Sequence, residues 1–334
     1  MESKNILICI AVLLIIVVII AIIFSEDDVS EIKAVYLIKT DSKNTQLIDS
    51  DYINLITKMT IDYKEYNPCH KIVFEKGYHY VTFYIKKTTT TFQMFSGVGD
   101  LLEINLEGFD ASDVSDMGRM FFACTSLNEV RLSELKTNNV KRMDFMFSGC
   151  LSLGYVDLSK LNLENVESME SMFSNCHSLE RIGLNNVKTK NLKTAKNMFL
   201  YCENLISLQF DYLFKTTNIV DISYMFSGCT KLIDVNLMFF DTKNVERMDR
   251  MFYGCSGLTS ISLSNFYTQK VKSMEQMFYN CKNLKYLDIR HFSTSFTPNI
   301  LNEYASYGTI IINRSFYNKI ESQIGWTWSK NYID

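Results

Sequence analysis

The sequence predicts an α/β solenoid with a parallel β-sheet on one face, preceded by a small antiparallel β unit and an N-terminal transmembrane helix. Three observations carry that expectation. A Met-Phe pair returns at Met94, Met120, Met146, Met172, Met198, Met225, Met251 and Met277, each step 26 residues except the 27 from Met198 to Met225. Residues 30–91 lack the pair and are rich in β-branched and aromatic residues. Ile6–Phe24 runs for 19 residues without a charge, and its only departure from aliphatic and aromatic side chains is Cys9.

The apolar run comes first. At about 1.5 Å per residue it reaches roughly 28 Å, close to the hydrocarbon thickness of a bilayer. It is longer than a usual leader core, and no small-residue cleavage site follows, so the expectation is an uncleaved signal anchor, with a cleaved leader and secretion as the alternative. Lys4 precedes the span, whereas Glu26, Asp27 and Asp28 follow it. Basic residues favour the cytoplasmic side, which places the long C-terminal part outside the cell. The expected division is a membrane anchor over 1–25, a β unit and N-terminal cap over 26–91, eight repeats over 92–297 and a C-terminal cap over 298–334. With 334 residues, 47% of them hydrophobic, there is ample material for a core. A net charge of -3 gives no basic footprint for nucleic acid.

In the β unit, "AVYLIKT", "KMTIDYKEYNP", "KIVFEK" and "YHYVTFYIKK" read as short strands broken at Asn67-Pro68 and Gly77. This unit is expected to cap the first coil.

Each repeat reads in two phases. Around Met251 the apolar residues Val245, Met248, Met251, Phe252 and Cys255 fall at spacings of three, three, one and three, which predicts one or two amphipathic helical turns. Leu258, Ile261 and Leu263 follow, the last two alternating as a short strand requires. No unit can bury its apolar side alone, but stacked units can. The extra residue of the 27-residue step falls between Phe210 and Phe214, in a turn. The helix signature ends after Thr294, Pro298 breaks the pattern, and Gly308–Asp334 reads as a closing strand, a short amphipathic helix and a cover made by Trp326 and Trp328.

The unit M-F-x-x-C-x-x-L-x-x-L-x-L-x-x-F-x-T-x-x-V-x-x-M, matched nearly throughout by Met225–Met248 and Met251–Met274, resembles the BspA-like leucine-rich-repeat surface proteins of bacteria, mollicutes and some protists. The resemblance covers about residues 92–297. It implies a leucine-rich-repeat-like, right-handed coil on a cell surface, binding matrix, other cells or host components. It carries over no catalytic residue. The departures are Val98 in the cysteine column, Ala195 and Ile222 in the second methionine column, and Leu135, Leu161 and Val187 in the phenylalanine column. All are apolar.

The sequence offers little chemistry. Seven cysteines recur one per repeat, in a line and not converging on a point as metal ligands do. They are expected to be buried thiols, with disulfides between coils as the alternative, and Cys69 is the best candidate for a reactive thiol. His70, His79, His177 and His291 are scattered, and no phosphate loop, dinucleotide fingerprint or nucleophile elbow occurs. No enzyme and no cofactor are expected.

Binding is expected on the outward strand face. Its polar positions include Asn105, Arg131, Asp157, Gln209, Asn236 and Asp288, with Tyr155, Ile206, Tyr212, Ile233, Met238, Phe239 and Tyr286 beside them. The densest apolar group, in coils five and six, nominates Tyr212, Met238 and Phe239 as partner-binding residues. Asn313 heads the only glycosylation sequon. The expected role is non-catalytic recognition or adhesion toward protein or glycan partners on other cells or matrix. A self-associating surface coat or scaffold is the alternative.

Overall fold

The computed structural model describes residues 29–301, 308–324 and 328–333. The expected span Ile6–Phe24 and Trp326 lie outside these residues; no helix among the described residues is long and apolar enough to cross a membrane.

The chain opens with β1 (Val29–Ile38), β2 (Lys43–Gln46), β3 (Ile56–Ile61), β4 (Lys64–Tyr66), β5 (Lys71–Phe74) and β6 (Gly77–Lys86). Alternation decides what is buried: Ile32, Ala34, Tyr36 and Ile38 of β1 point inward together with Val81, Phe83 and Ile85 of β6. The Tyr36 hydroxyl donates to the Leu47 carbonyl at 2.5 Å, which satisfies a polar group that is otherwise fully buried. β1 lies antiparallel between β6 and β7 (Leu101–Asn105), and β7 is parallel to β8 (Glu129–Arg131). The order β4-β3-β6-β1-β7-β8 therefore runs unbroken from the β unit into the first two coils. The cap shares a sheet with what it caps.

Six more strands of three residues follow, one per coil: β9 (Tyr155–Asp157), β10 (Arg181–Gly183), β11 (Ser207–Gln209), β12 (Asp234–Asn236), β13 (Ser260–Ser262) and β14 (Tyr286–Asp288). Their pairings are parallel and in register, as between Ile261 and Leu287. The middle residue faces the core and, in β9 to β13, its two neighbours are exposed or half-buried. The coils close with β15 (Gly308–Asn313), the helix α1 (Arg314–Ile320) and β16 (Trp328–Ile333), which extends the sheet of β13 and β14 with Trp328 buried.

The helical turns expected in each repeat do not form, so the architecture is a β-solenoid of eight coils with little helix. The reason is visible in the backbone around Met172. Even-numbered N–H groups close four-residue turns, Met172 to Met169, Ser174 to Ser171 and Cys176 to Phe173, at 3.1–3.3 Å. Odd-numbered groups instead donate to the next coil, Ser171 to Lys196, Phe173 to Met198 and Asn175 to Leu200, at 2.7–2.9 Å. This alternation needs two left-handed residues per coil, here Ser171 at φ 54° and Asn175 at φ 60°. A helix tolerates neither. Spacings of three arise from successive turns as readily as from a helical stripe, and apolar periodicity alone does not separate them. Glycine takes the second left-handed place at Gly97, Gly149, Gly228 and Gly254.

The stacked interior follows the columns read from the sequence. Eight phenylalanines, Phe95 to Phe278, form a continuous pile with ring centroids 5.4–5.7 Å apart and planes within 15°. The Met, Leu and Val columns beside it are buried, as are the departures Val98, Ala195, Ile222, Leu135, Leu161 and Val187. Fully burying one such side chain stabilises by about 1.5–3 kcal/mol. Phe210 and Phe214 both reach the core around the inserted residue, their rings 4.7 Å apart. The threonine of the repeat has a polar task. Thr242 Oγ1 donates to the Tyr267 carbonyl at 3.1 Å and accepts from the Tyr267 N–H at 2.8 Å, stitching one coil to the next.

Candidate functional site

The interior columns are closed and apolar. Each column thiol, Cys124 through Cys281, is a free thiol that donates to the carbonyl of the repeat phenylalanine one coil earlier, Sγ to O 3.0–3.2 Å. Burial removes the thiolate's solvation and pushes Cys124, Cys176 and Cys281 up to about 12. Cysteine thus serves as a small apolar side chain with a donor. Val98, the exception to this column, sits in the first coil, where no repeat phenylalanine precedes it. Cys69 is half-buried, and burial raises its thiol as well, which disfavours the reactive thiolate. Among the described residues no group of three or more His, Cys, Asp or Glu side chains is placed to hold a metal ion.

The outward sheet face is different. Tyr212 and Phe239 follow β11 and β12 at equivalent places in neighbouring coils, and their rings meet edge to face with centroids 6.4 Å apart. Tyr212, Met238 and Phe239 are 60%, 63% and 41% exposed. Tyr212 and Phe239 meet, and Met238, the residue before Phe239, lines a shallow groove of about 510 Å³. Gln209, Asn236, Ser260, Ser262 and Tyr286 contribute to that groove. The Asn236 side chain accepts from the Met238 N–H at 3.0 Å, which holds the turn that presents Met238. Ile206 and Ile233 are exposed at the other end of the same two strands.

Two sequence expectations shift. Asp288 is not an open polar position: its side chain is 2% exposed and is held by Arg290 at 2.6 Å. Asn313 has a structural task, capping α1 by accepting from the Phe316 N–H at 2.8 Å while its Nδ2 donates to the carbonyls of Arg290 and Phe292. A glycan on that nitrogen would have to displace at least one of those bonds. A second outward groove, on the β unit beside Tyr63 and Tyr80, was missed by sequence reasoning. Its one legible signal is the alternation of Tyr78 and Tyr80 along β6.

No curated protein matches the chain. A solved structure, the functional domain of InlJ from Listeria monocytogenes, which includes a cysteine ladder, is 13% identical with a TM-score of 0.30. The match covers 72% of this chain and 51% of that one, so it extends over about half the length of the solved relative. The family model described as a Mycoplasma protein of unknown function, DUF285, matches residues 89–212 and 208–307. Those segments take in more than half of the sequence and all eight Met-Phe coils, and the chain belongs to the DUF285 family.

Proposed function

We propose that this chain is a non-catalytic cell-surface recognition or adhesion protein, anchored through residues 6–24 with its solenoid outside the cell. It binds protein or glycan partners on other cells or matrix. The observation that carries the reading is the exposed Tyr212–Phe239 ring pair with Met238, which lines a polar groove, on a scaffold whose interior is packed column by column. Aromatic anchors held on a rigid frame bind with little ordering cost. The BspA-like resemblance of the repeat supports the same reading.

The test is a pull-down of matrix and host-cell surface proteins with the full chain in detergent, against the triple variant Tyr212→Ala, Met238→Ala, Phe239→Ala. The reading expects captured partners and at least a tenfold loss of affinity in the variant, with melting unchanged. Concentration-dependent self-association as the only activity would replace it with the surface-coat reading.

A further inference from the structure

The β unit carries an aromatic arm that its core does not require. β3 and β4 are joined by a two-residue turn, Asp62-Tyr63, in which both residues are left-handed, at φ 49° and φ 66°. Such a turn favours Asn-Gly, and a bulky ring at its second position is an outlier. The outlier is held in place. Asp62 accepts from the Tyr80 N–H at 2.9 Å and from His79 Nδ1 at 2.8 Å, and the His79 ring is stacked on Phe74. Tyr63 is left 88% exposed, its ring stacked on Tyr80 at 6.2 Å. Strain kept at a pinned, solvent-facing aromatic residue points to a contact outside the chain.

The two rings wall a groove of about 360 Å³ on the outward face of the six-stranded sheet. Strand register sets its floor in two rows. Thr82, Lys33, Asn105 and Arg131 lie side by side across β6, β1, β7 and β8, and Tyr80, Val35, Glu103 and Glu129 form the next row. Two cations and two carboxylates thus lie under an aromatic wall, Arg131 paired with Glu129 at 2.7 Å and Lys33 with Glu31 at 2.6 Å, each pair still open to solvent on one side.

We infer that this groove binds a neutral saccharide, with Tyr63 and Tyr80 stacking on a sugar ring and the two rows binding its hydroxyls. The mixed charge selects the ligand. A phosphate, sulfate or uronic acid would face Glu103 and Glu129, and a cationic ligand would face Lys33 and Arg131. A hydroxyl carries one donor and two acceptor lone pairs, so one group satisfies a carboxylate and a cation together. An apolar peptide would strip water from Glu103 and from the Glu129–Arg131 and Lys33–Glu31 pairs without replacing its hydrogen bonds. The groove is separate from the Tyr212–Phe239 cluster, and its failure leaves that cluster's test untouched.

The experiment uses the full chain in a zwitterionic, sugar-free detergent. It is titrated with neutral gluco-, galacto-, manno- and N-acetylglucosamine oligosaccharides, with sialylated and sulfated ones, and with a random decapeptide pool. Binding is read by saturation-transfer NMR. At least one neutral oligosaccharide is expected to bind, and Tyr63→Gly, whose glycine adopts positive φ freely, is expected to weaken it at least tenfold without lowering the melting temperature. Glu129→Gln should weaken it too. Binding of only acidic glycans, of only peptides, of nothing, or binding indifferent to Tyr63→Gly overturns the inference.

Discussion

In the solenoid, each interior position is written eight times and each coil is the wall of the next. Phe173 is sandwiched between Phe147 and Phe199, its thiol neighbour Cys176 reaches back to Phe147, and its N–H reaches forward to Met198. In the β unit each residue is used once: one tyrosine, Tyr36, ties β1 to the Leu47 carbonyl, and one aspartate, Asp62, pins one turn. The difference teaches where constraint lies. Stacking constrains the inside of every coil and leaves the outside free to vary, whereas the unit fixes individual side chains on both faces.

Removing a column member should therefore hurt most. Phe173→Ala deletes two ring contacts at once and is expected to cost about 3–5 kcal/mol in urea unfolding. Tyr36→Phe in the β unit leaves a buried carbonyl without its donor, and about 1–3 kcal/mol is expected. If Tyr36→Phe proves the more damaging, the contrast between the regions fails.

Alkaline pH sharpens the comparison. The usual cysteine value is 9.0, and burial holds Cys176 at about 12 when folded. The folded value is raised, so the stabilisation is complete below pH 9 and is lost as pH climbs toward 12. In that window the unfolded thiol has released a proton that the folded one keeps, so stability falls by about 1.4 kcal/mol per pH unit for each buried thiol. Unfolding titrated from pH 8 to pH 11 should show the slope, and Cys176→Val should remove one thiol's share.

The smallest effects test the ladder's logic. Cys176→Val withdraws the thiol from the Phe147 carbonyl, which keeps its bond from the Cys150 N–H at 3.0 Å, so about 0.5–1.5 kcal/mol is expected. Val98→Cys, in the first coil with no repeat coil before it, should gain less than Cys176→Val loses. An equal response at the two positions, read in the same unfolding assay, would reduce cysteine to a mere space-filler.

The columns were legible because repetition exposes them: Met, Phe, Cys and Leu at fixed offsets all land inside. The local backbone was not. Spacings of three fit a helix and a chain of stacked turns alike, and the deciding feature, left-handed residues such as Ser171 and Tyr224, has no glycine to announce it. On the surface, Tyr212 and Phe239 were recoverable as apolar residues at polar offsets. Tyr63 was not, because its role comes from register across four strands and from a turn whose conformation runs against its residue types. Asp288 reads as a polar strand position, and only the fold reveals Arg290 closing over it.

The central claim, that one coil dries the next, is tested most directly by thiol labelling with an aqueous alkylating reagent, resolved by peptide mass spectrometry. In native protein, Cys124, Cys150, Cys176, Cys202, Cys229, Cys255 and Cys281 should stay unlabelled while half-buried Cys69 reacts slowly, and all should react together once urea unfolds the coils. Prompt labelling of the column thiols without denaturant would contradict the stacked interior.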